Sequence, residues 1–277
     1  AIEPWTHDYV TRRYGAADSS AWHAWQLLLQ TAFRSSAQTG DFLAERPQFF
    51  KAGVAYRSEP VPPYDARVLA QALDSLLSAA PALGADDNYR YDVVNLTRQA
   101  LGQLAVPLVT EVQDAYTRRD RAALTALEGR IVGLLGDLDT LVATRKEFLL
   151  GRWISDARAW GRTDAERRLY EWNARNIITL WGTKCTEGQN DDLNLYAFKE
   201  WAGMYSSYFL PRWREFFVRL DHSLATGVPF DRAPFARDMC AWEQKWSHAE
   251  TPFPPEPTGD PVATAERLWT KYRAQLH

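Results

Sequence analysis

At 277 residues, 46% hydrophobic and 24% charged, the chain can bury a large core, as one big domain or two modest ones. A formal net charge of -3 argues against a nucleic-acid or anionic-membrane surface, which would require a basic excess. No apolar run approaches the roughly 20 residues of a membrane-spanning helix.

Taken in order, nearly every segment repeats with a helical period. Trp5, Tyr9, Val10 and Tyr14 suggest a first helix closed by Gly15. Asp18-Ser19-Ser20 offers a cap for a second, with Trp22, Trp25, Leu28, Leu29, Ala32 and Phe33 on one face. Residues 35–64, with Pro60, Pro62 and Pro63, read as a long excursion, and excursions of that length inside a compact chain are often functional. Asp65 opens a helix with Val68, Leu69, Ala72, Leu73, Leu76 and Leu77 inward, ended near Pro81. A longer pattern runs from Asn88 to about Tyr116, kinked or divided at Pro107. Asp120 caps the next, whose Leu and Ile recur every three or four residues to Leu141; these two patterns suggest an antiparallel helical hairpin.

Phe148 to Trp160 gives another amphipathic helix, and Thr163-Asp164-Ala165-Glu166 is a capping box before Leu169, Trp172, Asn176 and Leu180. After a polar break containing Gly182, Gly188 and Asn190-Asp191-Asp192, an aromatic helix is expected through Trp201, Tyr205 and Tyr208, interrupted at Pro211 and resuming through Trp213 to Gly227. A helix through Phe235 and Trp246 and a proline-rich connector, Thr251 to Thr258, follow. Asp260 with Pro261 then starts a last helix. No alternating strand pattern and no fixed-period repeat are present, so the class is all-α, an irregular multi-helix bundle of roughly nine to eleven helices. Residues 1–277 are expected to form a single helical domain, or a small N-terminal helical pair (1–34), the excursion (35–64) and a main bundle (65–277).

The motif search removes several chemistries. His7, His23, His222, His248 and His277 show no i, i+4 pairing, so no metal site is assigned, and no nucleotide-binding or nucleophile-elbow motif occurs. No cofactor is expected. Asp86-Asp87 and Asn190-Asp191-Asp192 set acids side by side rather than one helical turn apart, which disfavours a prenyl-diphosphate enzyme. Glu171 and Glu200 flank the aromatic stretch, but exposed helical Glu is common and neither is assigned a catalytic role. Cys185 and Cys240 are compatible with one disulfide or with two free thiols. The start at Ala1, with no signal-like segment, suggests a fragment or a processed chain.

Four segments resemble the α-N-acetylglucosaminidases in order along the chain. They are Arg90-Tyr91-Asp92-Val93-Val94-Asn95-Leu96-Thr97-Arg98-Gln99-Ala100-Leu101, Phe148-Leu149-Leu150-Gly151-Arg152-Trp153, Thr179-Leu180-Trp181-Gly182, and Tyr196-Ala197 with Lys199-Glu200-Trp201-Ala202-Gly203 and Tyr208-Phe209-Leu210-Pro211-Arg212-Trp213. Enzymes of that family are retaining glycoside hydrolases whose two catalytic glutamates lie in a (β/α)₈ barrel, followed by an all-α C-terminal domain. The resemblance therefore implies a C-terminal helical domain with no catalytic residue of its own, packed on a barrel of the same polypeptide or complex. It implies a substrate ending in α-linked N-acetylglucosamine, a wall of the cleft formed by Trp181, Tyr196 and Val54, and a secreted, periplasmic or lysosomal location. It departs from the family in a longer loop between Gly182 and Tyr196, and in Leu195 and Phe198 where an acid and an Asn are usual. The alternative is a stand-alone helical module that binds carbohydrate or protein without catalysis.

Overall fold

The structure, a computed structural model, describes residues 2–34, 42–49, 64–182, 185 and 196–276. Among these residues there are twelve α-helices, eleven of them ten residues or longer, and no strand. The all-α class and the helix count follow the sequence periodicity.

Helices α1 (Ile2–Tyr14) and α2 (Ser19–Gln30) form a pair that packs on α3 (Ala66–Ser78) and α5 (Asp87–Gly102), with the single turn α4 (Ala80–Leu83) between the latter two. The next helices are α6 (Ala105–Thr117) and α7 (Arg121–Val142). At 22 residues α7 is the hub, packing against α5, α6, α10 (Leu210–Thr226) and α12 (Pro261–Tyr272). Its inward stripe, Leu124, Leu127, Ile131, Leu134, Leu138 and Leu141, is buried throughout, as a 3.6-residue period requires. A hairpin of α8 (Leu150–Ala159) and α9 (Asp164–Ile177) stands beside this core, and α11 (Arg232–Ser247) joins α9 to α10.

Local chemistry explains most boundaries. The carboxylates of Asp18, Asp65, Asp86, Asp120 and Asp260 each accept a backbone N–H in the first turn of α2, α3, α5, α7 and α12. Thr163 and Glu166 close a reciprocal capping box on α9. The division expected at Pro107 falls a few residues earlier, at Gln103-Leu104. Pro107 then lies in the first turn of α6, where its missing N–H costs nothing.

Two expectations around the aromatic stretch are corrected. Trp201 lies outside any helix, on a short extended run in which Ala202 exchanges backbone hydrogen bonds with Phe148 (2.8 Å) and Leu150 (3.1 Å). Pro211 does not interrupt the helix that follows. A π-turn at Tyr205–Phe209 carries the Leu210 N–H back to the Tyr205 carbonyl, and the wider turn leads into α10 with Pro211 in its first turn. Gly151, on α8, lies against the connector 251–258. A Cβ there would come within 2.2 Å of the Pro254 carbonyl oxygen, so the crossing of chain over helix requires glycine.

Residues 42–49 of the excursion are part of the core. Phe42, Leu43 and Ala44 are buried, and Arg46 reaches Glu243 of α11 at 2.6 Å. Glu243 also pairs with Arg212 of α10 at 3.0 Å, both side chains being fully buried, and Arg212 donates to the Ala44 carbonyl. Burial pushes the Glu243 carboxyl upward, but Arg46 and Arg212 outweigh it and hold the group below its ordinary value.

Candidate functional site at the end of helix α9

The C-terminal half of α9 is fixed by a buried ion pair at i, i+4. Arg175 contacts Glu171 at 2.7 Å, lies over the rings of Trp246 and Phe253, and donates to the Thr251 carbonyl at 2.7 Å. From there the helix ends in a turn organised by Asn176. Its carbonyl accepts the Trp181 N–H at 2.8 Å, and its side-chain Oδ1 accepts the Gly182 N–H at 3.3 Å. Gly182 has a left-handed φ of +84, ordinary for glycine, but Trp181 at +50 is also left-handed, which is uncommon for a bulky residue.

The chain comes back to it at Tyr196. The two rings meet edge to face, with centroids 5.5 Å apart and planes inclined at 61°. Tyr196 is 63% exposed and Trp181 half-buried. Among the described residues, neither the Trp181 indole N–H nor the Tyr196 hydroxyl has a hydrogen-bond partner. Behind them, Phe198 and Trp201 pack against the core, and Trp201 also meets Trp153 of α8 at 5.8 Å. Gly203 donates to Asp139 of α7 at 2.8 Å, so the returning segment is tied to the hub helix. Burial raises the Asp139 carboxyl above its usual range.

Two of the three residues predicted to line a site, Trp181 and Tyr196, are thus brought into contact across a gap of 15 positions in the sequence. Val54 lies outside the described residues, as do Leu195 and Asn190-Asp191-Asp192. The two glutamates flanking the stretch are occupied. Glu171 is buried between Arg175 and Arg158, and Glu200 pairs with Arg98 and accepts from the Tyr205 hydroxyl at 3.4 Å. Neither is a free carboxylate. Asp86 caps α5, and Asp87 pairs with Arg145 at 2.7 Å. Among the described residues no group of three or more His, Cys, Asp or Glu could hold a metal ion.

Sequence reasoning left Cys185 and Cys240 open. They form a disulfide, with Cα atoms 5.6 Å apart, that ties the chain beyond Trp181 to α11. Asn176 was also missed as the organiser of the turn, because a helical Asn carries no signal until its neighbours are known. A separate concavity of about 270 Å³ lies between α2, α3 and α5, lined among others by Trp25, Phe33, Tyr64, Asn95 and Gln99. Asn95 accepts from Arg98 at 2.9 Å, and Arg98 pairs with Glu200. One run of polar contacts therefore links this cavity to the segment carrying Tyr196.

Residues 5–271 match the family described as the α-N-acetylglucosaminidase (NAGLU) C-terminal domain. The chain belongs to this family. The human α-N-acetylglucosaminidase is 33% identical over 278 residues, covering 98% of this chain and 36% of the human protein. Among solved structures, a Clostridium perfringens enzyme of glycoside hydrolase family 89, in complex with its substrate GlcNAc-alpha-1,4-galactose, superposes with a TM-score of 0.85 at 22% identity, over 100% of this chain and 32% of that one. A family 89 glycoside hydrolase from the same organism in complex with PUGNAc gives a TM-score of 0.84 at 22% identity, over 98% of this chain and 31% of that one. The chain thus spans about a third of the length of these relatives.

The α-N-acetylglucosaminidase C-terminal domain is accordingly an all-α unit in this chain, and the likeness to solved structures is a likeness of fold. The motif segments fall in specific places in it: Arg90 to Gln99 on α5, Gly151 under the connector, and Trp181 and Tyr196 at the α9 rim.

Proposed function

We propose that this α-N-acetylglucosaminidase C-terminal domain packs on a catalytic (β/α)₈ barrel of the same polypeptide or complex and lines one wall of a cleft for terminal α-linked N-acetylglucosamine. On this reading Trp181 and Tyr196 form the wall, joined by Val54 from the excursion, while the chain itself supplies no catalytic residue and residues 1–277 act as a single domain. The observation that carries it is the Trp181–Tyr196 pair. Two aromatic rings stand at the surface with no partner for their polar edges among the described residues, an arrangement suited to stacking on a pyranose and bonding its hydroxyls. The paired state of Glu171 and Glu200 supports placing the catalytic carboxylates elsewhere. The Cys185–Cys240 disulfide supports maturation in an oxidising compartment, whether secreted, periplasmic or lysosomal.

The test is calorimetric titration of the chain with N-acetylglucosamine. Binding of millimolar strength that disappears in Trp181→Ala is the expected result. No binding by the intact chain would sink the cleft-wall role, and turnover of an aryl α-N-acetylglucosaminide by this chain alone would sink the assignment of catalysis to a barrel.

A further inference from the structure

Beyond α9 the chain runs through backbone that L-residues seldom adopt. Trp181 (φ +50) and Cys185 (φ +56) are both left-handed, with left-handed Gly182 between them. Such conformations persist where the surroundings over-determine them. On the α9 side the determinant is Asn176, through its two oxygens. On the far side the first described fixed point is Cys185, four positions beyond Trp181, held covalently by Cys240.

Cys240 is a firm anchor. One helical turn further along α11, Glu243 is fully buried and paired with both Arg46 and Arg212. Trp246, on the next turn, is buried and donates its indole N–H to Ser207 at 3.2 Å. The disulfide therefore connects the Trp181 turn to a buried, ion-paired part of the core. Tyr196 is restrained differently, from its C-terminal side, by the packing of Phe198 and the backbone bonds of Ala202 and Gly203.

We propose that the Cys185–Cys240 disulfide is a positioning device for Trp181. It holds the indole in the left-handed turn and against Tyr196, and its cleavage frees the indole while the helical core stays folded. The idea rests on the cleft-wall reading for its functional consequence, but its structural content can be tested without any sugar. The bond is internal, and cleavage by dithiothreitol is balanced: the reagent gives two electrons and two protons to the two sulfurs and closes to its own cyclic disulfide.

The experiment follows nuclear Overhauser contacts between the Trp181 and Tyr196 rings in the labelled chain. It compares the oxidised form, the form reduced with dithiothreitol, the re-oxidised form and the double variant Cys185→Ser/Cys240→Ser. The contacts should vanish on reduction and in the double variant and return on re-oxidation, with helical circular dichroism unchanged. Parallel titrations with N-acetylglucosamine should show apparent affinity falling about tenfold, as expected when the binding-competent turn becomes a minority population. Ring contacts that survive reduction overturn the proposal, as does a loss that accompanies unfolding of the helices. If the contacts respond as expected but no form binds the sugar, the positioning role stands and the cleft-wall reading falls.

Discussion

Trp213 sits in the first turn of α10, wholly buried, with its indole N–H donating to the Leu43 carbonyl at 3.0 Å and its ring against Phe216 and Phe217. Trp181 sits past the end of α9, half-buried, touching Tyr196 and leaving its N–H without a partner among the described residues. The residue type is the same, and both occur in segments that resemble one enzyme family. What differs is how completely the surroundings satisfy the side chain. Leaving a buried donor unpaired costs about 1–3 kcal/mol, and the bond to Leu43 spares the Trp213 indole that cost. At the rim water can satisfy the N–H, so a partner within the chain is not required. An aromatic residue whose polar atom is satisfied by its own chain is a packing element. One left unsatisfied at a surface is a candidate for binding.

This contrast can be broken most directly at the core. Trp213→Ala should cost about 3–5 kcal/mol in chemical denaturation, since it removes a large buried ring and the indole hydrogen bond to the Leu43 carbonyl. A loss below about 1 kcal/mol would mean that burial does not separate the two tryptophans.

Charge in the same core comes next. Glu243→Gln leaves Arg46 and Arg212 facing a neutral partner, and a loss of up to about 3–5 kcal/mol is expected. The pH dependence follows from the sign of the shift. Because the folded pKa of Glu243 is depressed, its contribution is present above the ordinary Glu value of about 4.3 and disappears as pH falls through the lower folded value. Acid titration of stability should therefore show a drop in the wild type that Glu243→Gln lacks. Identical acid limbs for the two proteins would remove this group from the account.

A smaller effect belongs to the foot of α9. Thr163→Ala breaks the capping box and should cost about 1 kcal/mol while leaving the Trp181–Tyr196 contact in place at the other end of the helix. Loss of the contact would show that the rim depends on the whole helix and not on its last turn. Trp181→Ala should change stability least, by less than about 1 kcal/mol, because the ring is only partly buried and its N–H bonds nothing among the described residues. A cost comparable to that of Trp213→Ala would return Trp181 to the core.

Several elements needed nothing beyond the sequence. Asp18, Asp65, Asp120 and Asp260 with Pro261 mark helix starts because a carboxylate bonding the N–H groups of the next turn is a local event. The Thr163–Glu166 box and the leucine stripe of α7 are legible for the same reason: their partners lie within one or two turns. The motif segments were also readable, and with them the family and the choice of Trp181 and Tyr196.

The tertiary structure decided the rest. The three charges Arg46, Arg212 and Glu243 are spread over almost 200 positions and become one buried cluster only when residues 42–49 fold onto α10 and α11. The π-turn that lets Pro211 enter α10 is stabilised by Tyr205 to Phe209 packing into that core, a condition that no local pattern encodes. The pairing of Cys185 with Cys240, 55 positions apart, and the meeting of Trp181 with Tyr196 depend on where α9 and α11 lie in space. Caps and periodicities are fixed by neighbours along the chain. Sites are fixed by neighbours across it, and those exist only once the helices have packed.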